Sequence, residues 1–498
     1  MSQTAKVVTQ FCRGAAAPIG SRQLPLRSFA CPIAALALGI SVQAVWAQQT
    51  APPPVPAAPG ASAQLHIGTT SGFDTETRLQ NLLADHQFRR VEAQLDQLPA
   101  WQAQVYRGIL ANRSNESKKS IELLEPLIDQ VAAGGNDARE KLLRKALAED
   151  YLRLGDWAKA AEAYKALETR LGGKLTKDEQ DELELPFKLM PLAAHNPTMT
   201  IEPCSPFEMQ VSRNPLGLID IPVFIDAHPR SWLLDPTLPF NLISRSVAKE
   251  AGLTLSQGVA TVNTLTGHPT QLRATVIPRF TIGGVLTLRN MTAFVYDDSD
   301  YFFQRSNYHV EGVLGMEAML AFDSIKVTDN QTIFVEPASE NVSPEKHDPH
   351  ASVRFYFDGD QMVVALSPSA ASSDGLPMPP QPVDAEERLY AIDAGSQQTY
   401  VTSRYYDEHS TEFTGQTAVM FTLPGVTAFP PVPAYTAETV PLMAGEAAFD
   451  VHYVPVLTQP LGSAARDDVY GMLGIDALDQ LRSYKFDYKS MRFSVVPR

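Results

Sequence analysis

Residues 389–404 read LYAIDAGSQQTYVTSR, and residues 231–246 read SWLLDPTLPFNLISRS. In each, an apolar run ends at an aspartate, Asp393 or Asp235, and a second short apolar run follows. With the aspartates aligned, Val401 falls on Ile243 and Thr402 on Ser244. The agreement continues downstream. TLTG ends at Gly267 and TLPG at Gly425, at the same offset past each aspartate. GVLGMEAML begins at Gly312 and GMLGIDALD at Gly471, one residue out of step. The runs that follow end in Phe334 and Phe493, equally far past the second glycine of that motif. Landmarks held in register over so long a stretch read as an internal duplication. The surrounding texture is β: short β-branched and apolar runs such as LIDIPVFIDA (218–227) and RATVIPRFTIGG (273–284) alternate with Gly, Pro and Asn turns. Two all-β lobes are therefore expected, at 200–337 and 351–498, with a linker at 338–350.

Each lobe places an aspartate where an apolar strand gives way to a turn. In Asp393-Ala394-Gly395-Ser396, Gly395 permits positive φ and close approach of another main chain. Its N–H is expected to face the Asp393 carboxylate, with the Ser396 hydroxyl offered to the same group. If pseudosymmetric folding brings Asp235 to meet Asp393, two like charges about 3 Å apart cannot both ionise. The pair then holds one proton. One oxygen activates a water while the other protonates a peptide oxygen, which is peptide hydrolysis without metal or covalent intermediate.

These motifs resemble the retropepsin-like aspartic proteases of bacteria, arranged as two fused lobes like pepsin. The family pattern is an apolar strand, Asp-Thr/Ser-Gly-Ala/Ser, a strand like FNLISRS, and later an apolar-apolar-Gly strand leading into a short helix. Val313-Leu314-Gly315 and Met472-Leu473-Gly474 stand at the last element. The resemblance covers roughly residues 205–498 and implies an endopeptidase with Asp235 and Asp393 as catalytic residues and no cofactor. It also implies substrate-covering flap hairpins around Gly267 and Gly425.

The departures from the pattern keep a second reading open. Pro236 and Thr237 stand where the family has Thr/Ser and Gly, and Ala394 replaces the Thr or Ser of the second copy. Proline removes a backbone N–H, and both turns lack the hydroxyl that links the catalytic loops in the family. A degenerate cleft holding an extended peptide by strand pairing is the alternative. A third reading pairs the Asp393 lobe with its counterpart in another chain, which leaves Asp235 idle.

Upstream, residues 75–180 read as helices. In KALAEDYLRLGDWAKAAEAYKALETRLGG, Ala148, Tyr151 and Leu154 recur on one helical face. Gly155-Asp156 breaks the helix, and Trp157, Ala160, Ala161 and Tyr164 begin another. This looks like a tetratricopeptide repeat, with a more degenerate one in GILANRSNESKKSIELLEPLI and three hairpins in all; an ordinary small helical bundle is the alternative. Its expected role is to dock a protein partner or to brace the lobes. Residues 48–74 form a Pro/Ala-rich linker.

Residues 1–47 read as an export signal: Lys6, Arg13, Arg22 and Arg27 without acids, an apolar run from Ile33 to Val42, and Val45 and Ala47 ahead of Gln48. An uncleaved anchor is the alternative. With the signal removed, the protein is expected outside the cytoplasm, most simply in a periplasm, with no stable membrane span. Of the three cysteines only Cys204 lies beyond that segment, so neither an internal disulfide nor a zinc cluster is expected. His347 and His350 sit in a polar linker, and no metal site is expected there. The net charge of −15 over 498 residues disfavours nucleic acid as a partner. The expected partner is a peptide or protein substrate.

Overall fold

The structure, a computed structural model, describes residues 72–236, 238–263, 269–303, 307–339, 352–359, 361–368, 388–421, 431–460 and 469–498. All of these belong to the unit Gly68–Arg498. The segment expected to be an export signal, most of the Pro/Ala-rich linker, Gly267 and Gly425 lie outside the described residues.

The first part is helical: α1 Gly72–Ala84, α2 Phe88–Glu92, α3 Ala100–Arg113, α4 Ser117–Leu124, α5 Ile128–Ala133, α6 Asp137–Arg153, α7 Trp157–Leu171 and α8 Lys177–Ala193. Four junctions share one turn. A left-handed residue stands two positions past one helix and two before the next: His86, Asn115, Gly135 and Gly155. At three of them the residue after the left-handed one donates back across the helix end, as in Gln87 N–H to the Leu82 carbonyl (2.7 Å), Glu116 to Ala111 and Asp156 to Tyr151 (both 2.9 Å). Such bonds satisfy carbonyls that the helix leaves open. Two of the following helices are capped by polar side chains: Asn136 accepts from Arg139 N–H at 3.0 Å and Asp156 from Lys159 N–H at 3.1 Å. Ala148, Tyr151, Trp157, Ala160 and Tyr164 are buried, but Leu154, expected on the same face, is 36% exposed. The last helix runs to Ala193, past the boundary expected at residue 180. Pro186 and Pro191 lie inside it.

The remainder is β-rich. Among the described residues the strands form one sheet of nine, one of fourteen and a two-stranded ribbon. The strand before Asp235, His228–Leu234, lies between Ile219–Ile225 (antiparallel) and Gly312–Leu314 (parallel). The strand before Asp393, Leu389–Ile392, lies between Gln361–Ala365 (antiparallel) and Gly471–Leu473 (parallel). Registers agree as well. Leu234 faces Leu314 and Ile392 faces Leu473; Ile243 faces Gly312 and Val401 faces Gly471. Beyond them, Ile243 pairs in parallel with Val295, and Val401 with Val456.

The two halves join through Phe322–Thr328 and Leu481–Asp487, which pair antiparallel. Lys326 faces Lys485, with Ile325 against Phe486 and Val327 against Tyr484. Lys326 and Lys485 hold the same place in their strands, so the pairing reads the same from either side.

The helices touch both halves. Trp157 meets Phe294 edge-on with ring centroids 6.4 Å apart, and Asn196 Nδ2 donates to Thr292 Oγ1 at 3.1 Å. Lys188 Nζ reaches the Thr261 carbonyl at 2.7 Å. In the other half, the hairpin of Val353–Asp358 and Gln361–Ala365 carries its turn into the helices. Asp358 pairs with His86 at 2.7 Å and with Arg113 at 2.8 Å, and Arg113 also pairs with Glu149 at 3.0 Å. Phe88 packs on Tyr356 at 4.6 Å, and the Arg153 guanidinium lies over Phe357 at 5.2 Å. Burial alone would raise the Asp358 pKa, but Arg113 and then His86 outweigh it and hold the carboxyl well below the usual range. A depressed carboxyl stabilises the fold above its unfolded pKa, and that contribution is lost as pH falls. Removing one partner of such a group leaves a buried charge unmatched, at a cost of about 3–5 kcal/mol. Asp358→Ala is therefore expected to lower stability by about 3 kcal/mol at neutral pH, measured by denaturant unfolding, with the deficit shrinking in acid. A variant as stable as the parent would show that the Asp358 ion pairs do not hold the hairpin to the helices.

Candidate active site

Both aspartates are placed by buried strands. Trp232, Leu233 and Leu234 precede Asp235, and Leu389 to Ile392 precede Asp393; all are buried. Each aspartate donates its own N–H to the neighbouring short strand: Asp235 to the Leu314 carbonyl at 3.0 Å and Asp393 to the Leu473 carbonyl at 2.9 Å. Each turn then closes on the aspartate carbonyl, from Leu238 N–H at 3.3 Å and from Ser396 N–H at 3.1 Å. The carboxylates thus leave their strands where the chain reverses, at the same end of each half.

The two turns meet at one glycine. A Cβ added to Gly395 would lie 2.5 Å from Asp235 Oδ2, 2.7 Å from its Cγ and 3.1 Å from Oδ1. The first two are distances that real Cβ atoms essentially never show, so only glycine lets the Asp235 carboxylate rest there. The Gly395 N–H donates to Asp393 Oδ1 at 3.0 Å. One residue of the second half therefore holds its own aspartate through its amide and receives the other half's aspartate on its α-carbon.

Two expectations need correction. Gly395 does not adopt a positive φ. Glycine is required by the space that Asp235 occupies, not by the backbone angle. The Ser396 hydroxyl does not reach the Asp393 carboxylate; it donates to the Gln398 carbonyl at 3.3 Å and accepts from Gln398 N–H at 3.4 Å. Ser396 holds the loop instead through its backbone amide.

The strands flanking the two expected flaps pair as hairpins. Asn263 faces Pro269 on either side of Gly267, and Phe421 faces Val432 on either side of Gly425.

Tyr301 was not found from sequence. It packs on Tyr296 with ring centroids 4.6 Å apart. Burial, and then the negative charges of Asp235 and Asp300, push its phenol up to about 12. Nothing in the local sequence marks it; the two-stranded ribbon Phe302–Phe303 with Tyr308–His309 follows it directly. Among the described residues, no group of three or more His, Cys, Asp and Glu side chains is poised to hold a metal. No helix there is long and apolar enough to cross a membrane.

Comparison with known proteins bears on the first half. The family model described as aspartyl protease matches residues 221–318, which include Asp235 and the Gly312–Leu314 strand. No curated protein matches the chain. Among solved structures, basic 7S globulin from soybean is similar at 10% identity, covering 59% of this chain and 97% of its own, with a TM-score of 0.36. Conglutin gamma, a basic 7S globulin from lupine seeds, is similar at 12% identity, covering 59% and 96%, with a TM-score of 0.35. A retropepsin-like aspartic protease from Rickettsia conorii is similar at 18% identity, covering 26% and 98%, with a TM-score of 0.20. The β-rich region thus contains an aspartic-protease-like domain.

Proposed function

We propose that the chain is an exported aspartic-type endopeptidase in which Asp235 and Asp393 act as one acid/base pair. The observation that carries this reading is the seat of the Asp235 carboxylate on Gly395, whose amide holds Asp393. Two carboxylates within hydrogen-bonding reach of one another hold one proton between them. The ionised oxygen takes a proton from water as that water attacks the peptide carbon, and the protonated one donates to the peptide oxygen. The common registers around the two aspartates, and the pairing of Lys326 with Lys485, support a duplicated pair of lobes about a pseudo-two-fold axis. The four like turns between helices support a tetratricopeptide-type array that braces the lobes and offers its remaining surface to a protein partner.

The test is to incubate the full chain with an unfolded polypeptide from about pH 3 to pH 7, a range that spans the upper titration step of an aspartate pair at about 4.7, and to map products by mass spectrometry. Internal backbone cuts are expected. A second reading, a peptide-binding module without hydrolysis, draws on the turns themselves. Neither Pro236 nor Ala394 carries a hydroxyl, and that of Ser396 is engaged with Gln398. Peptide binding without cuts at any pH would favour it.

A further inference from the structure

Each aspartate loop is tied to a short helix by the same relay. In the first half Gly315 N–H donates to Asn241 Oδ1 at 3.0 Å, and Asn241 Nδ2 donates to Glu317 Oε2 at 2.6 Å and to the Thr292 carbonyl at 3.0 Å. In the second half Gly474 N–H donates to Thr399 Oγ1 at 2.9 Å. Thr399 then donates to Asp476 Oδ1 from its hydroxyl at 2.6 Å and from its amide at 2.8 Å. Asn241 and Thr399 hold the same place after their aspartates, and Glu317 and Asp476 the same place after their glycines. The next amide in each half closes the tie: Met316 N–H to the Leu238 carbonyl at 2.8 Å and Ile475 N–H to the Ser396 carbonyl at 2.9 Å. A side chain at either glycine would strike the opposing main chain, the carbonyls of Phe240 and Leu238 or the backbone of Gln398. The acid thus fixes the amide or hydroxyl, which fixes the glycine N–H, which fixes the turn carrying the aspartate.

Glu317 has no evident structural need to be an acid. It is buried without a cation, whereas a buried carboxylate ordinarily has one. Burial pushes its carboxyl up to about 8, against the pull of the Thr292 amide and Asn241. These are the groups that act on it; no charged side chain of the described residues is among them.

We propose that Glu317 with Asn241, and Asp476 with Thr399, are positioning residues for the two aspartates, each pair holding the loop of its own half. This rests on the reading of Asp235 and Asp393 as an acid/base pair. Side-chain networks of this kind lock reactive groups to within a fraction of an ångström, and misplacement by about 1 Å costs roughly 100-fold in rate.

The experiment uses the full chain with Glu317→Ala, Glu317→Gln and Asp476→Ala. It reads kcat and KM on a peptide and amide hydrogen exchange in 235–243 and 393–401, with α6 as the control for global folding. Each alanine variant is expected to speed exchange in the aspartate loop of its own half about tenfold. It is also expected to lower kcat by roughly 10–100-fold while KM stays within about twofold. Glu317→Gln keeps the acceptor oxygen and is expected to restore both. Unfolding measured against pH supplies an independent signature. The native state keeps the Glu317 proton between about 4.5 and about 8 while the unfolded chain has lost it. Stability therefore falls as pH rises through that window, and Glu317→Gln is expected to flatten the fall. Unchanged exchange in an alanine variant overturns the assignment for that half. A glutamine variant as loose as the alanine variant overturns it for Glu317. A parent protein that cuts no peptide removes the peptidase reading alone, and hydrogen exchange still decides the role of the relay.

Discussion

Asp393→Asn is expected to lower peptide cleavage by about 1000-fold or more in kcat, since it removes a group that serves as both acid and base. The substitution is nearly isosteric. Its side-chain oxygen still accepts the Gly395 N–H that Asp393 Oδ1 accepts at 3.0 Å, so the loop keeps its shape. Binding of an uncut peptide should therefore change by no more than a few fold, which separates loss of chemistry from loss of the cleft. Asp235→Asn is expected to behave alike, and the double variant to be scarcely worse than either single one, because the two carboxylates act as a unit. Full cleavage by Asp393→Asn would eliminate the shared-proton mechanism. Loss in Asp393→Asn with full activity in Asp235→Asn would point to a pair completed by a second chain.

Gly395→Ala is the second large effect. The new methyl would sit 2.5 Å from Asp235 Oδ2 and 2.7 Å from its Cγ, so either the loop or the carboxylate must move. Overpacking of this kind costs about 1–3 kcal/mol, and a carboxylate shifted by about 1 Å loses roughly 100-fold in rate. Stability supplies a check that needs no turnover. In an Asp235→Ala background the obstructing carboxylate is gone, so most of the cost of Gly395→Ala should vanish in a double-mutant cycle of unfolding free energies. Strict additivity of the two changes would mean that the aspartate and the glycine are not in contact in solution.

The sequence disclosed the aspartate strands because the constraint there is local and repeated. A buried strand, a turn and a glycine with no room for a Cβ leave a fixed spacing, and Gly312, Gly315, Gly471 and Gly474 carry it. What the glycine made room for was not legible. The sequence points at Gly395 to positive φ and to the close approach of another main chain, yet the body beside it is the carboxylate of Asp235, from a distant segment. The partners of Asn241 and Thr399 were hidden for the same reason, since their acids come from another element. In the helical part, Gly155-Asp156 marked one junction in the sequence, and the left-handed residues at the other three, His86, Asn115 and Gly135, were not singled out. Two prolines masked the continuation of the last helix to Ala193. The periodicity that placed Leu154 with Tyr151 could not show that Leu154 falls at the helix end, where its face opens to solvent. The Asp358 contact was the least readable, because an acidic turn in a hairpin looks solvated until a helix brings Arg113 to it.

That contact has a consequence for the order in which the molecule can be assembled. A ribosome delivers Arg113 and His86 long before Asp358, so the helices emerge with a cationic gap that the chain has not yet made the means to fill. The hairpin at 353–365 must arrive late and close a very long loop, a step that slows folding more than it weakens the finished state. Until then the guanidinium has Glu149 of its own segment beside it but lacks its second acid, and the helical segment is a receptor awaiting its own downstream sequence.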